Sequence, residues 1–406
     1  MDADLVVVGA GAAGLSAAAR TAAYGAQVVV VDENPYAGGK LPGQLHESPG
    51  HGWWKGGEIA NRLREEVESA GGRIIQEREV WGISPGFHVL LNYQEELRAP
   101  YILLATGALE RPIPMPGWTL PGVMAVGAAQ VMTNIHRVLP GKKVLIVGID
   151  VLSMTIARQL KMAGAEVVGL VLPPSGIFSG EKANPVSQIS LLAGMADLAP
   201  TTLLRLAGRA ASTPVMHRLG AALYPAKGMR VWEIPLMLRK AALEIRGRQA
   251  VESVVLADVT SKGEIIENSR HEVAVDCVCI SGGLAPLGEL ASSIGCTFTH
   301  IPELGGHVPL HSPLLETDRE NVFVAGNITG IEGANVAMAQ GELAGTAIAA
   351  KLGLLGQKKE AKLMEAQHNV NITRERADIQ FMPNILKGRE AMEAAWNEMF
   401  LHSSMT

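Results

Sequence analysis

Cysteine, aromatic residues and charged residues are all scarce in this chain of 406 residues. Three cysteines in such a length can build neither a disulfide framework nor a four-cysteine metal or cluster site, and they favour a reducing, cytoplasmic setting. Charged residues make up 18% of the chain, and the formal net charge of −5 has the wrong sign for a surface that follows phosphates. We therefore expect no nucleic-acid partner and no metal site.

Long apolar runs are also missing. The first apolar run, Leu5–Val8, follows Asp2 and Asp4 rather than a basic segment, and Gly9 interrupts it after four residues. We expect a mature, soluble N-terminus without a membrane span. Because 48% of the residues are hydrophobic and the length exceeds the roughly 250–300 residues at which one core stops growing, two domains are expected.

Glycine, by contrast, is abundant, with 45 residues that are concentrated in turn motifs. The apolar run Leu5–Val8 leads into Gly9-x-Gly11-x-x-Gly14, and the next apolar run ends at Asp32. The order of strand, glycine turn, helix and strand is typical of dinucleotide binding. The glycines let a pyrophosphate approach the backbone at a helix N-terminus, and the carboxylate accepts from ribose hydroxyls.

The same pattern occurs again between residues 142 and 171. Gly9 to Gly25 and Gly148 to Gly164 both span 16 residues, so the two copies can be aligned. Two βαβ units this far apart predict an α/β fold of two doubly wound dinucleotide-binding domains. The alignment places Asp150 on Gly11, Ser153 on Gly14 and Val171 on Asp32.

The second copy has lost the residues that bind a dinucleotide. Asp150 would repel a pyrophosphate at close range, and Val171 offers a ribose no hydrogen bond. We therefore expect NAD(P) not to bind in the second domain. Binding of ATP or another nucleotide in a shifted pose remains the alternative.

Further motifs resemble a known group of flavoproteins. Ala105-Thr106-Gly107 and Gly326-Asn327 follow the first motif in the order seen in the glutathione and thioredoxin reductase type, which has two dinucleotide-binding domains. The stretch 105–123, with Glu110-Arg111-Pro112 and Pro121-Gly122-Val123, is more specific. It resembles the FAD-carrying large (alpha) subunit of hetero-oligomeric amino-acid and imino-acid dehydrogenases: dye-linked proline dehydrogenase, opine oxidase, hydrogen cyanide synthase and sarcosine oxidase.

The resemblance covers about residues 1–350 and implies a domain order. The FAD-binding domain would be split into 1–115 and 272–355, with the second nucleotide-binding-like domain, 116–271, inserted between the parts. A helical insertion is expected near 175–230, and a helical tail at 356–406. In that tail Met392, Trp396, Met399 and Phe400 share one face, which predicts a stripe that either packs on its own chain or docks a partner.

The same resemblance implies FAD and assigns its contacts residue by residue. Asn327 replaces the family's usual Asp, so it can bond a ribityl hydroxyl but brings no charge. Lys40 as a solvated lysine and Val80 as a core residue are the alternatives at those positions. The implied contacts are Gly9, Gly11, Ala12, Ala13 and Gly14 for the pyrophosphate, Asp32 and Glu33 for the adenosine ribose, Gly39 and Lys40 beside the flavin, Val80 at the adenine, Ala105, Thr106 and Gly107 over the middle of the cofactor, and Gly326, Asn327, Asn335 and Val336 at the flavin end.

The resemblance also implies a division of labour, in which a partner subunit with its own FAD oxidises the amine substrate and this chain's FAD relays the electrons. The next carrier would be FMN at a subunit interface or a small iron–sulfur subunit, because residues 357–406 lack the cysteines that relatives often carry there. No residue qualifies as catalytic.

Two alternatives remain open: a stand-alone NAD(P)H-dependent flavin reductase and a nucleotide-binding scaffold. Cys277 and Cys279 argue against the reductase, because side chains two apart on a strand are poorly placed for a redox disulfide. His46 and His51 lie in a loop where a substrate role competes with an ordinary structural one.

Overall fold

A computed structural model describes residues 2–48, 52–84, 86–194, 196, 206, 208, 213–377 and 379–403. The chain forms two compact units. The first comprises Met1–Pro42, Lys55–Leu109 and Leu284–Thr406, and the second comprises Gly43–Trp54 and Glu110–Gly283. Within the described residues, none of the helices combines the length and the apolar character needed to span a bilayer.

The strands and helices are numbered in chain order. Residues up to 110 contain β1 (Leu5–Val8), α1 (Ala12–Ala23), β2 (Val28–Val31), β3 (Leu45–Ser48), β4 (Gly52–Lys55), α2 (Gly56–Ser69), β5 (Arg73–Ile75), β6 (Val80–Ser84), β7 (His88–Leu91), β8 (Glu96–Arg98), β9 (Tyr101–Leu104) and β10 (Ala108–Glu110). Residues 111–283 contain β11 (Val123–Ala125), α3 (Val126–Gln130), β12 (Lys143–Val147), α4 (Val151–Met162), β13 (Glu166–Leu172), α5 (Pro185–Gly194), α6 (Pro214–Leu223), β14 (Met229–Val231), β15 (Ile234–Arg246), β16 (Ser253–Asp258), β17 (His271–Ala274) and β18 (Cys277–Ile280). The rest contains β19 (Leu284–Pro286), α7 (Glu289–Ser293), β20 (Phe298–Ile301), β21 (Gly306–Pro309), β22 (Val322–Val324), α8 (Ala334–Lys351), α9 (Lys359–Glu375) and α10 (Ile385–Ser403).

A five-stranded parallel sheet forms the centre of the first unit, in the order β22-β9-β1-β2-β5. Every residue of β1 and β2 is buried, as expected for a parallel sheet that is covered on both faces. Their runs of valine and leucine suit this environment, since β-branched side chains pack well on a pleated surface. The predicted strand, glycine turn, helix and strand are all present.

Small residues bring α1 and α8 close together in the first unit. A Cβ atom at Gly341 would lie 2.2 Å from the carbonyl oxygen of Ala13, and one at Gly345 would lie 2.6 Å from that of Ala17. Both positions therefore require glycine. The alanine-rich sequence of α1 and the glycines of α8 form a contact that larger side chains would prevent.

The sheet of the second unit follows the order β11-β18-β12-β13-β15-β16-β17, and β14 pairs with β15. The pairs from β11 to β15 are parallel, while β15, β16 and β17 pair antiparallel. The two sheets confirm the predicted α/β class.

The units divide the chain at different places from the sequence expectation. Residues from 272 onward were expected in the FAD domain, but β18 pairs with β11 and β12 of the second unit, and the division falls after Gly283. Residues 43–54 also group with the second unit. Since β18 is apolar on both faces, its sequence fits a central position in either sheet, and the pattern alone could not assign it.

The expected helical insertion and tail are only partly described. In 175–230 the structure describes α5 and α6, while most of 195–212 lies outside the described residues. The tail contains α9 and α10. On α10, Met392 is buried, and Trp396 and Met399 pack against the same cluster as Leu304 and Val308 of the first unit. The stripe therefore packs on its own chain; the side chain of Phe400 lies outside the described part of the chain.

Candidate functional site

Two of the three glycines in the first turn lie so close to the backbone of the chain that a side chain would not fit. Gly9 has φ +101°, and its amide donates to the carbonyl of Val31 at 2.8 Å. A Cβ atom at Gly9 would lie 2.5 Å from the carbonyl oxygen of Ala105, and one at Gly14 would lie 1.9 Å from that of Gly9. Glycine is required at both positions by the turn and by helix packing.

Gly11 differs from these two because nothing in the protein lies within 4 Å of a Cβ atom built on it. It is the N-cap of α1, where no side chain caps the helix and no acidic residue stands in the first turn. The first amides of α1 therefore face an open space with the positive end of the helix dipole behind them. This cradle has the chemistry of an anion site, and a side chain at Gly11 would fill it.

The next loop borders the same cradle. Gly39 has φ +56°, and a Cβ atom there would lie 2.9 Å from the Cα atom of Gly11. The amide of Gly38 donates to the carbonyl of Ala10 at 2.7 Å, which ties the loop to the turn. The structure thus brings Gly39 against the glycine turn at Gly11, whereas Lys40 is exposed.

The two carboxylates at the end of β2 have different surroundings. Asp32 is buried, and its Oδ2 accepts from the amide of Ala10 at 2.6 Å while Oδ1 accepts from the amide and side chain of Asn34, both at 2.9 Å. Glu33 is exposed. Asp32 therefore holds the glycine turn in place, and Glu33 is the more accessible acceptor for a ribose.

The motif after β9 lies against the glycine turn. The amide of Ala105 donates to the carbonyl of Val8 at 2.8 Å, and Thr106 Oγ1 donates to the carbonyl of Leu287 at 2.5 Å. Gly107 has φ +81°, and its carbonyl accepts from the amide of Leu287. Val80 begins β6 and packs against the core of the first unit.

Gly326 and Asn327 lie beside α1 as well. Gly326 has φ +80°, its Cβ position is 2.9 Å from the Cβ of Ala13, and its amide donates to Oε1 of Gln340 at 2.8 Å. Asn327 Oδ1 accepts from the amide of Glu332 at 3.1 Å. Gly333 is the N-cap of α8, no side chain caps this helix, and a Cβ atom at Gly333 would lie 3.8 Å from the carbonyl oxygen of Ile379. Asn335 is exposed and Val336 is buried.

A buried ion cluster adjoins α8, and no sequence pattern predicted it. Glu332 pairs with Arg374 of α9, with 2.6 Å between Oε1 and Nε, and with Arg389 of α10. Burial alone would raise the pKa of Glu332, but the two guanidinium groups outweigh it and hold the pKa below its ordinary value. Isolated charged residues in sequence do not reveal such a cluster, because the three residues are far apart along the chain.

In the second unit the corresponding helix N-terminus is already capped. Asp150 Oδ1 accepts from the amide of Ser153 at 2.8 Å, and Ser153 Oγ accepts from the amide of Asp150 at 2.9 Å, which forms a capping box. Ser281 Oγ donates to Asp150 Oδ2 at 2.8 Å, and Lys182 Nζ lies 3.9 Å from the same oxygen. The carboxylate of Asp150 thus takes the place that a phosphate would need on α4.

The strand register corrects one step of the sequence alignment. Val8 pairs with Val31 in the first sheet, and Val147 pairs with Val171 in the second, after a register shift between Val144 and Leu145. The residue that corresponds to Asp32 is therefore Leu172, not Val171. An irregularity in β13 shifts the count by one, and a fixed spacing cannot detect it; the position still lacks a hydrogen-bond acceptor.

The described cysteines and histidines form neither a disulfide nor a metal site. Cys277, Cys279 and Cys296 are free and buried, with 3.9 Å between the Sγ atoms of the first two. No group of three or more metal-ligating side chains occurs within the described part of the chain. His46 stacks on Trp54, with 5.8 Å between ring centroids, while His51 lies outside the described residues.

Comparison with known proteins agrees with this geometry. The family model for pyridine nucleotide-disulphide oxidoreductases matches residues 3–341. The opine oxidase A subunit of Rhizobium meliloti (strain 1021) is 30% identical over 371 residues, which cover 86% of this chain and 71% of that protein. The predicted resemblance is confirmed.

Two solved structures share the fold. L-proline dehydrogenase from P. horikoshii has a TM-score of 0.60 and 19% identity, and the match covers 89% of this chain and 58% of that chain. Thioredoxin reductase from T. acidophilum also has a TM-score of 0.60, with 20% identity and coverage of 86% of this chain and 99% of that chain. The predicted arrangement of the thioredoxin reductase type is confirmed.

Proposed function

The chain belongs to the pyridine nucleotide-disulphide oxidoreductase family, and we propose that within it the chain is an FAD-dependent electron-relay subunit of an amino-acid, imino-acid or opine oxidase. A partner subunit with its own FAD oxidises the substrate at a C–N bond, and this chain receives the electrons. The observation that carries the proposal is the contrast between two helix N-termini: that of α1 is open, and that of α4 is capped by Asp150.

The residues of the first unit fit FAD. The open space at Gly11 accommodates a pyrophosphate against the amides of α1, because no protein atom lies within 4 Å of its Cβ position. Glu33 is accessible for the adenosine ribose, and the loop at Gly39 borders the same cradle. At the other end, the uncapped start of α8 with Asn335 and Val336 would face the flavin.

FAD supplies two-electron chemistry when it is bound, and the chain's own residues determine how it is held. Gly9, Gly14 and Asp32 fix the turn that presents the amides of α1. The start of α8 favours negative charge at the flavin edge through its dipole. The relatives are single subunits of opine oxidase and sarcosine oxidase, which supports the assignment of substrate oxidation to a partner subunit.

The start of α4 in the second unit lacks the features of an NAD(P) site, which supports an electron source other than NAD(P)H. The carboxylate of Asp150 already accepts from the first turn of α4, and Leu172 stands where a ribose acceptor would be needed. A dinucleotide would have to displace that capping box and overcome the charge of Asp150. The proposal therefore includes no NAD(P) site; ATP or another nucleotide could bind only in a pose that leaves this capping box intact.

The partner is proposed from the names of the relatives, which include the A subunit of opine oxidase and the alpha subunit of sarcosine oxidase. For the next carrier we propose FMN at the subunit interface or a small iron–sulfur subunit, since residues 357–406 contain no cysteine. Three free, buried cysteines support a cytoplasmic setting.

Co-expression with a candidate FAD-containing oxidoreductase subunit from the same organism tests this proposal. We expect the chain to purify with FAD and with a second FAD-containing subunit, and the complex to oxidise an amino acid, imino acid or opine. The isolated chain should retain its flavin but show no amine oxidation. Substrate oxidation by the isolated chain would contradict the relay role, and a flavin-free chain in the active complex would support the scaffold alternative.

A further inference from the structure

A buried cluster of one carboxylate and two guanidinium groups adjoins the start of α8, which we assign to the flavin end of the proposed FAD site. Glu332 and Arg374 are each 8% exposed, and the two nitrogens Nε and Nη2 of Arg374 lie 2.6 and 3.3 Å from the Glu332 oxygens. Arg389 donates to the same carboxylate and, through Nη1, to the carbonyl of Thr329 at 2.8 Å. The cluster therefore carries a net charge of about +1 away from water.

Hydrogen bonds connect this cluster to the start of α8. The amide of Glu332 donates to Oδ1 of Asn327, and Glu332 Oε2 accepts from Nε2 of Gln340 at 3.1 Å. Gln340 Oε1 in turn accepts from the amide of Gly326. Asn335 and Val336, which we assign to the flavin edge, follow Glu332 by three and four residues in the chain. A displacement of Glu332 would thus change the whole segment 326–336.

The charge of the cluster has a direct chemical consequence for a flavin. Reduction adds negative charge to the flavin, and nearby positive charge stabilises that state most strongly where water is excluded. Asn327 strengthens the effect, because it is neutral where an aspartate would oppose the added charge. The positive excess comes from α9 and α10, which lie beyond the last residue of the family match.

We propose that the charge of Arg374 and Arg389, held beside the segment 326–336 by their contacts with Glu332, raises the midpoint potential of the flavin. This inference rests on the proposed FAD site. It gives the C-terminal helices α9 and α10 a function in addition to packing.

Redox potentiometry of four variants tests the proposal by the sign of the shift. Arg374→Met and Arg389→Met remove positive charge, so we expect each to disfavour flavin reduction at least about tenfold, which for a two-electron couple lowers the potential by about 30 mV. Glu332→Gln removes negative charge and should raise the potential. Arg376→Met is the matched control, since Arg376 is exposed just after α9 and the same substitution there should leave the potential unchanged.

A merely structural cluster would move all the buried variants in the same direction or leave the potential unchanged, and either result would overturn the proposal. If Arg389→Met does not fold, the opposite signs expected for Arg374→Met and Glu332→Gln still decide the question. Asn327→Asp, which adds a negative charge without touching the two arginines, should lower the potential as well. A wild-type chain that neither retains nor rebinds FAD would refute the proposed function instead, so the two failures are distinguishable.

Discussion

At the scale of single residues, the glycines of the first turn are present for different physical reasons. Gly9 and Gly14 are needed because a Cβ atom would meet the chain's own backbone. Gly11 has open space around its Cβ position, so the folded protein alone does not require glycine there. A ligand bound in this space would explain the glycine, so a substitution of Gly11 tests the proposed cofactor site directly.

Gly11→Val should therefore give a folded chain without flavin. The branched side chain would fill the cradle that we assign to the pyrophosphate, and we expect flavin occupancy to fall at least about tenfold, while the melting temperature stays close to that of the flavin-free wild type. Gly57→Val is the control, because a Cβ atom at Gly57 in α2 also meets no protein atom within 4 Å. Absorbance spectra and thermal melts measure both effects; normal flavin occupancy in Gly11→Val would remove the assignment of residues 9–14.

A second residue-scale prediction concerns His311, which is 3% exposed and whose Nδ1 lies 2.7 Å from the carbonyl oxygen of Pro309. Because that partner is a carbonyl, Nδ1 carries the proton and donates. Burial, with the charges of Arg389 and Arg374, lowers the pKa of His311 to about 4. Glu332 pairs with both of these arginines and belongs to the same cluster.

The sign of the pH effect follows from linkage. The unfolded chain binds a proton at His311 below its ordinary pKa of about 6.5, whereas the folded chain does so only near pH 4. Stability should therefore fall as the pH drops between these values, by about 3 kcal/mol for this group. In His311→Asn, which keeps a donor, that part of the pH dependence should disappear from urea unfolding curves. An unchanged pH dependence would contradict this interpretation.

At the scale of elements, the two βαβ units show how one pattern can keep its fold and change its use. Both Gly9 and Gly148 have a left-handed backbone, with φ +101° and +105°, and both amides donate to the neighbouring strand. The helix that follows is open in the first unit and carries the Asp150 and Ser153 capping box in the second. The difference lies in two side chains at the start of the helix.

Removal of the capping box should open the second site. We expect Asp150→Gly with Ser153→Gly to cost about 1 kcal/mol of stability, because glycine replaces the N-cap at a cost of a few tenths of a kcal/mol and a residue of the first turn of α4 at up to about 1 kcal/mol. Adding Leu172→Glu should give measurable NADH affinity, while Val171→Glu in the same background should not, since Leu172 holds the position of Asp32. Calorimetric titration of the folded variants compares the two; equal binding by both would contradict the strand register.

The C-terminal helix α10 belongs to the core of its unit. Met392 is 3% exposed and packs with Leu304 and Val308, while Met364 on α9 is 70% exposed. We expect Met392→Ala to cost about 2–4 kcal/mol of unfolding free energy and Met364→Ala to change it by less than about 0.5 kcal/mol. Chemical denaturation measures both. If Met392→Ala leaves stability unchanged but weakens assembly with a partner, the stripe is a docking surface instead.

At the scale of the whole molecule, the sequence predicted what depends on local pattern. The strand, turn and helix at Leu5–Ala23 follow from apolar runs and glycines, and the changed start of the second helix follows from Asp150. The division between the units could not be predicted, because β18 is equally apolar on both faces. The cluster at Glu332 depends on contacts between residues 42 and 57 positions apart, which no local pattern encodes.

The central claim is that this chain's FAD receives electrons from a partner subunit rather than from NAD(P)H. The most direct test is anaerobic rapid mixing of the unmodified protein, alone and in complex with its partner, while the visible flavin band is followed. We predict that NADH at micromolar concentration leaves the isolated chain's flavin oxidised, and that an amine substrate reduces it only in the complex. Stoichiometric reduction of the isolated chain by micromolar NADH would contradict the account and favour a stand-alone reductase.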